Sequence, residues 1–223
     1  MHIEAFQGPR GALLRCLMGA ISKHFATQIY RAELSAATGR RLLAELEHSA
    51  RTIAEADGAG QAWCASNNYP GYTSYASLTD LTDRDPVFAD LERVLDGHVA
   101  AFAKELELDL CGRSLALDSI WINVLEPGGY HTSHIHPHSV VSGTLYVRVP
   151  KGSGAIKFED PRLAFMMAAP PRKARASADN RTFVTLDPKP GSILLWESYL
   201  RHEVPVNNAK DERISISFNY RWD

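Results

Sequence analysis

The sequence predicts a mainly β chain with N-terminal helices, an α+β protein whose strands form two packed sheets. Two observations support this fold class. From about residue 115 onward, short apolar runs alternate with turn residues and show no helical period, which favours a sandwich, barrel or jelly roll. Before that point, apolar residues recur at helical spacing in two segments. We therefore expect a helical part followed by a β part.

Two helices are expected in the first half of the chain. Apolar positions between residues 39 and 56 lie three or four apart, and the Gly-rich stretch DGAG ends that run. The second helix is expected to begin at Pro86, because Asp85 suits the N-cap and proline suits the first helical position. An apolar stripe along this helix needs a sheet to cover. The stripe consists of Phe88, Leu91, Leu95, Val99, Phe102 and Leu106.

The strands expected in the second half are short and separated by turns. A strand with one buried face alternates apolar and polar residues, and several of the runs do so. A short extended run, TQIYRAEL, is also expected before the first helix. The main runs are LALDSIWINVL, SVVSGTLYVRV, GAIKFED, RTFVTL, GSILLWES, RHEVPV and ERISISFNYRW.

We divide the chain into an N-terminal extension, residues 1–24, and one domain, residues 25–223. Within the domain, a helical and mixed part covers residues 25–112 and a jelly-roll core covers residues 113–223. The apolar window of the extension, ALLRCLMGAISKHF, is interrupted by charges and too short to span a bilayer. It is also not followed by a small-residue cleavage site, so neither a membrane anchor nor a secretory signal is expected.

Composition excludes some classes of partner and favours one compartment. The 24 Lys and Arg residues are balanced by 26 Asp and Glu residues, so no overall positive field attracts nucleic acid or an anionic membrane. The three cysteines are scattered and lack CxxC spacing, which argues against a disulfide framework and a zinc–thiolate site. We therefore expect a cytoplasmic protein that does not bind nucleic acid.

The segment GGYHTSHIHPHS holds four of the nine histidines. Because residues two apart in a strand point to the same face, His134 and His136 can project toward one metal ion. A third ligand must come from a distant part of the chain, and His202, at the start of a later strand, is the candidate. Three such ligands would leave coordination positions open for substrates. A solvated histidine patch is the simpler alternative for an HxH motif alone.

The C-terminal strand has one apolar and one polar face. Arg213 and Ser215 belong to the polar face, which either meets solvent or lines a cavity. In a cavity, the guanidinium of Arg213 would suit a carboxylate, and Ser215 would add a hydroxyl beside it. Counting in steps of two from His136, and assuming no bulge, Tyr146 lies on the same face and could hydrogen-bond the same acid.

Together these motifs resemble the Fe(II)- and 2-oxoglutarate-dependent oxygenases, whose core is a double-stranded β-helix, a variant of the jelly roll. The pattern of that family is read here in the HIH motif, in GSILL at 191–195, in His202 and in Arg213-Ile-Ser215. The stretch WINVLEPGG resembles the approach to the first ligand and puts Asn123 near the cosubstrate. The resemblance runs from about residue 25 to the end and is strongest to a bacterial and phage subgroup.

The resemblance implies an enzyme that uses Fe(II), 2-oxoglutarate and O2, most simply to hydroxylate a substrate that the sequence does not identify. Most members carry a carboxylate where this chain has His136, so the ion would meet three neutral imidazoles. Glu159 or Asp160 could supply a carboxylate from elsewhere, although turn or surface roles suit both residues better. The implied metal ligands are His134, His136 and His202, and the implied cosubstrate residues are Arg213, Ser215, Tyr146 and Asn123.

Two other functions remain open at this point. A three-histidine metalloenzyme of the cupin class fits the glycine and HxH spacing, but it lacks the following Glu and leaves Arg213 without a role. A jelly-roll binding domain without chemistry is the third reading, since a fold assigns no activity. An exposed sheet edge or the N-terminal helix could pair in a homodimer.

Overall fold

Two antiparallel sheets and a group of helices make up the computed structural model, which describes residues 20–35 and 39–222. The predicted α+β fold with a jelly-roll core is therefore confirmed. Most of the predicted N-terminal extension, residues 1–19, lies outside the described residues. None of the helices within the described residues is both long and apolar enough to cross a bilayer.

Both predicted helices are confirmed, and the structure adds others between them. The Asp85 carboxylate accepts a hydrogen bond from the Val87 amide at 3.0 Å, as expected of an N-cap. The glycines after residue 56 do not end the helical region, because the Asp57 carboxylate accepts from the Gly60 amide at 3.0 Å and starts a new helix. The four helices are α1 Gly39–Ala56, α2 Gly58–Ser66, α3 Leu81–Arg84 and α4 Pro86–Glu105.

Ten strands form the two sheets, and each main predicted run contains one of them. The larger sheet has six strands in the order β1-β8-β5-β10-β3-β2, and the smaller has four in the order β4-β9-β6-β7. The strands are β1 Ile29–Glu33, β2 Gly71–Thr73, β3 Leu115–Leu125, β4 His131–His134, β5 Val141–Arg148, β6 Ile156–Glu159, β7 Phe183–Leu186, β8 Ser192–Glu197, β9 His202–Val204 and β10 Arg213–Trp222.

The main hydrophobic core lies between the helices and the outer face of the larger sheet. Phe88, Leu91 and Leu95 of α4 are fully buried there against strand residues such as Ile216 and Phe218. Burying an apolar side chain of this size stabilises the fold by roughly 1.5–3 kcal/mol. The predicted apolar stripe of α4 therefore fastens the helix to the outer face and leaves the inner face of the sheet for a second layer.

A second, smaller core fills part of the space between the two sheets. It contains Tyr146 and Trp196 from the larger sheet and Phe158 from the smaller one. The rest of this inner space is a cavity, and His134 at the end of β4 and His202 at the start of β9 line it at one end of the jelly-roll barrel. We call this end, marked by His134 and His202, the open end of the barrel.

Candidate metal and cosubstrate site

Three histidines meet at the open end of the barrel. His134 is the last residue of β4 and pairs directly with His202, the first residue of β9. One ring nitrogen from each of these residues and one from His136 all lie within 4.8 Å of one another. Imidazole nitrogens this close can share one metal ion. Among the described residues, no acidic side chain belongs to this cluster.

His136 reaches the cluster by a different route from the one the sequence suggested. It lies two residues beyond the end of β4, so strand alternation does not position it. Instead, its backbone N–H donates to the Ser198 carbonyl at 3.0 Å, which holds this segment beside the turn before β9. The following residues turn sharply, and His138 is exposed with a positive φ of 72°. The structure thus separates His136 from its near neighbour His138.

Hydrogen bonds set the tautomers of two of the three imidazoles. The Nδ1 atom of His134 lies 2.7 Å from the Thr132 carbonyl, and that of His202 lies 2.9 Å from the Leu200 carbonyl. A carbonyl oxygen can only accept, so each Nδ1 carries the proton and donates it. Each Nε2 therefore keeps a free lone pair, the form that a metal ion requires.

Burial keeps two of these imidazoles neutral. Loss of solvent, with a smaller effect from the neighbouring His134, lowers the pKa of His136 to about 4. Burial, again with His134 nearby, lowers the pKa of His202 to about 3. At neutral pH both rings are therefore in the unprotonated state that coordinates metals.

Aromatic rings surround the cluster. The indole of Trp196 lies 4.7 Å from the His202 ring, and the ring of Phe158 lies 5.9 Å from it, centroid to centroid. Trp121 lies 5.8 Å from His136 in the same measure. These contacts restrict the orientation of the imidazoles and keep water from the buried side of the site.

A buried cation faces the same cavity. Arg213, the first residue of β10, is only 3% exposed, and its guanidinium lies 4.9 Å from the centre of the Tyr146 ring. Among the described residues, neither Arg213 Nε nor the Tyr146 hydroxyl has a hydrogen-bond partner. No Asp or Glu lines the cavity within the described part of the chain. Since burying an unpaired charge is costly, this pair of groups is suited to an anionic ligand.

The polar face of β10 lines the cavity because of the sheet register. Ser215 pairs with Tyr146, and Ser217 pairs with Thr144, so side chains of β10 and β5 share the inner face. Counting in steps of two from His136 gave the correct face for Tyr146, although the turn after His136 interrupts the strand. Ser215 is 6% exposed and lies on the cavity wall near Arg213.

A hydrogen-bonded network forms another wall. Asn123 Nδ2 donates to Ser217 Oγ at 3.1 Å, and Asn123 Oδ1 accepts from Thr73 Oγ1 at 3.0 Å. The Tyr69 hydroxyl lies 3.4 Å from Asn123 Oδ1 and only 2.7 Å from His131 Nε2. Burial, together with Arg213 nearby, lowers the pKa of His131 to about 3, so this ring is also neutral. The side-chain nitrogen and oxygen of Asn123 are thus both already hydrogen-bonded to protein atoms.

The cavity has a volume of about 270 Å³ and brings together every site residue that the sequence suggested. Sequence reasoning did not predict that Tyr69 contacts His131 or that Trp121 and Trp196 line the walls, because no local pattern links positions so far apart in the chain. The main lining residues are His131, His134, His136 and His202, then Arg213, Ser215, Tyr146 and Asn123, and the aromatic residues Trp63, Tyr69, Tyr75, Trp121 and Trp196.

Glu159 and Asp160 have other partners. The Asp160 carboxylate is held by Arg162 at 2.8 Å, and Glu159 lies 3.9 Å from Arg201. Neither residue lines the cavity. No carboxylate of the described residues therefore faces the metal cluster.

Comparisons with known proteins agree with this arrangement. Residues 119–219 match the family model described as "Putative 2OG-Fe(II) oxygenase". No curated protein sequence matches the chain.

Several solved structures have a similar fold. A prolyl-4-hydroxylase from Pseudomonas putida aligns over 88% of this chain and 94% of its own, with 16% identity and a TM-score of 0.55. The carbocyclase SnoK from nogalamycin biosynthesis aligns over 87% and 79%, with 14% identity and a TM-score of 0.60. The epimerase SnoN, solved with Fe3+, alpha ketoglutarate and nogalamycin RO, aligns over 87% and 79%, with 16% identity and a TM-score of 0.58. At such identities the likeness concerns the fold.

The fold and the site define a jelly-roll protein with a three-histidine cluster beside a cavity that a buried arginine lines. With the family match over residues 119–219, the jelly-roll core of this chain is that of a 2OG-Fe(II) oxygenase, a superfamily whose enzymes use Fe(II), 2-oxoglutarate and O2.

Proposed function

We propose that the cavity is the active site of a 2-oxoglutarate-dependent hydroxylase and assign its residues as follows. The three imidazoles hold Fe(II), the buried cation and its neighbours bind the cosubstrate, and the cavity mouth admits the substrate. The metal ligands are His134, His136 and His202, and the cosubstrate residues are Arg213, Ser215, Tyr146 and Asn123.

The donor set supports a divalent transition metal at the histidines. Free Nε2 lone pairs on His134 and His202, and a neutral His136, suit a borderline ion such as Fe(II). Three neutral ligands leave the full positive charge of the ion in the cavity, so an anionic cosubstrate would also be attracted by the ion itself.

The buried guanidinium of Arg213, which has no carboxylate partner within the described residues, is the observation that carries the proposal. A buried arginine without a carboxylate is rare, and here it shares a cavity with the three histidines. A diacid that chelates the metal at one end would place its far carboxylate toward this cation. The hydroxyls of Tyr146 and Ser215 would then donate to that carboxylate. Asn123 would contribute indirectly, by holding the cavity wall in place, because its side-chain amide is already hydrogen-bonded to Thr73 and Ser217.

Bound Fe(II), 2-oxoglutarate and O2 supply an oxidative decarboxylation and an oxidant that removes a hydrogen from the substrate. The chain orients these groups and excludes water with its aromatic walls. The similar structures include a hydroxylase, an epimerase and a carbocyclase, so the fold does not decide the outcome. We propose hydroxylation because it is the simplest outcome after hydrogen removal.

The test is conversion of 2-oxoglutarate to succinate by the iron-loaded protein in the absence of substrate. The Arg213→Ala variant should lose cosubstrate binding by about 2–5 kcal/mol, as desolvated charge pairs do. Arg213→Lys should recover part of this loss, because lysine keeps the charge but lacks the two-pronged donor. Arg148→Ala is the matched control, since Arg148 lies on the neighbouring strand, pairs with Glu47 and does not line the cavity.

A second measurement separates this enzyme from a three-histidine enzyme that does not use 2-oxoglutarate. Under anaerobic conditions, Fe(II) followed by 2-oxoglutarate should produce a weak visible charge-transfer band. A band with Fe(II) alone, or equal succinate formation by wild type and Arg213→Ala, would contradict the proposal. The cupin-like alternative also leaves the Tyr146 hydroxyl and Arg213 Nε without a ligand.

Three broader expectations complete the proposal. We expect no nucleic-acid partner, because positive and negative charges balance, and a cytoplasmic location, because the cysteines are few and scattered. We expect a homodimer, because the sheets have edge strands that could pair. Light scattering of the purified chain tests the last of these.

A further inference from the structure

A long connection between β6 and β7 begins and ends beside the metal cluster. Phe158 of β6 pairs with His202, and the Glu159 amide donates to the Arg201 carbonyl at 2.9 Å. The Asp160 amide donates to the Thr182 carbonyl at 2.8 Å, which closes the base of the connection. Both ends of the connection therefore lie within roughly two strand residues of His202, at about 3.3 Å per residue. We call residues 161–181 the basic segment.

The basic segment carries a surplus of unpaired positive charge. It contains five basic residues and one acidic residue. Its acidic residue, Asp179, is paired with Lys23, and Arg162 is paired with Asp160. Arg172, Lys173 and Arg175 are exposed and form no ion pair within the described residues 20–35 and 39–222. The whole chain has a formal net charge of −2, so this positive charge is local to the basic segment.

Large apolar side chains of the same segment face solvent. Phe165 is 86% exposed and Met167 is 94% exposed. Arginine, methionine and aromatic residues are enriched at protein–protein interfaces. Exposed apolar residues elsewhere on a protein surface usually occur singly. The four arginines, two methionines and one phenylalanine of the basic segment match this composition.

The size of the cavity limits how much of a substrate can enter. Its volume of about 270 Å³ is slightly below the usual range for pockets that enclose a whole drug-sized ligand. If 2-oxoglutarate occupies part of it, the remaining room suits one side chain. The rest of the substrate must then be bound outside, where Trp63 and Tyr75 lie at the mouth.

We propose that the basic segment docks an acidic polypeptide, one side chain of which enters the cavity. The part concerning the cavity rests on the proposed oxygenase function, whereas the docking rests on the segment alone. The cations would attract the carboxylates of the polypeptide, and Phe165 and Met167 would pack on its apolar residues. A nucleic acid would satisfy the charges but would leave these two apolar side chains in solvent, and the cavity left beside the cosubstrate is small for a flipped base.

The experiment measures binding of a fluorescein-labelled peptide of alternating Glu and Leu-Ala units, about twenty residues long, to the full chain by fluorescence anisotropy. The variant is the triple replacement Arg172→Ser, Lys173→Ser and Arg175→Ser. The matched control removes the same charge from exposed lysines elsewhere: Lys104→Ser, Lys151→Ser and Lys210→Ser. The triple variant should bind about tenfold more weakly than wild type, and the control should bind as wild type does. Both variants should keep wild-type succinate formation without substrate.

A second docking variant tests the apolar contribution, with Phe165→Ser and Met167→Ser combined. It should weaken binding of the peptide without changing the dependence on salt. Equal loss in the triple variant and its control, no binding of the peptide to wild type, or tighter binding of an oligothymidylate of equal charge would each overturn the proposal. Peptide binding without succinate formation would leave the docking surface intact and refute the proposed function. Succinate formation without peptide binding would support the proposed function and refute the docking surface.

Discussion

His134 and His202 face each other across the β4–β9 pair, with ring centroids 4.3 Å apart. Each ring donates its Nδ1 proton to the carbonyl two residues earlier in its own chain segment. The two imidazoles are thus held in the same tautomer by the same local device. His136 joins them from a segment without regular structure, and its ring makes no hydrogen bond within the described residues, so it is the least constrained of the three proposed ligands.

Replacement of His136 should weaken the metal site. We expect His136→Ala to lower the affinity for Fe(II) by at least about a hundredfold, because one of three protein ligands is lost. His138→Ala should leave affinity unchanged, since His138 is exposed and does not line the cavity. Anaerobic titration with Fe(II) measures both.

A carboxylate at the same position provides a further check on geometry. His136→Asp should bind Fe(II) at least as tightly as wild type, because an anion replaces a neutral ligand. If His138→Ala abolished binding while His136→Ala did not, our assignment of the ligands would be wrong.

Loss of the Tyr69 hydroxyl should destabilise the cavity wall. Tyr69→Phe removes the hydroxyl that lies 2.7 Å from His131 Nε2 and 3.4 Å from Asn123 Oδ1, which should lower the free energy of unfolding by about 1–3 kcal/mol. Urea denaturation measures this change. Tyr75→Phe is the control, because the Tyr75 side chain is 59% exposed and its hydroxyl makes no recorded bond to the wall. Equal stability of wild type and Tyr69→Phe would show that the network is not structural.

Acid should act on stability through His98. Burial lowers the pKa of His98 below its ordinary value of 6.5, and Tyr30 Oη lies 2.9 Å from its Nδ1. The unfolded chain therefore binds a proton at a higher pH than the folded chain does. Its contribution to stability is present above pH 6.5 and is lost as the pH falls below that value.

The measurement compares wild type with His98→Gln at pH 7.5 and pH 5.5. Guanidinium denaturation should show a smaller loss of stability on acidification in the variant, because glutamine does not titrate. The other histidines are present in both proteins and contribute equally to the difference. An identical loss in both would show that His98 titrates alike in the folded and unfolded states.

Two glycines should respond to alanine in opposite ways. A Cβ at Gly143 would lie 2.5 Å from the Phe218 ring and 2.6 Å from Leu195 Cδ2, so Gly143→Ala should destabilise the fold by about 1–3 kcal/mol. A Cβ at Gly97, inside α4, meets nothing within 4 Å. Gly97→Ala should therefore stabilise the fold by roughly 0.5–1 kcal/mol. Thermal unfolding of both variants checks the pair, and a stabilised Gly143→Ala would contradict the close packing of β5 on β10.

Local features of the chain could be predicted because neighbouring residues decide them. The start of α4 depends on Asp85 and Pro86 alone, and the alternation along β10 depends on the pleat of one strand. The helix after Asp57 was not predicted, because neighbouring residues alone do not decide it. Its two glycines are poor helix formers, and packing around Gly60 and Cys64, which no local pattern expresses, outweighs their low propensity.

The sequence by itself determined the two long helices, the order of the main strands, the histidine pair at 134 and 136, and the polar face that begins at Arg213. Only the tertiary structure decided that this face lines a cavity, that His202 lies opposite His134, and that Tyr69 bonds His131 from 62 positions away. The physical reason is that backbone and side-chain preferences act between near neighbours. Convergence of distant residues depends on strand register across two sheets, which forms only when the whole core is packed.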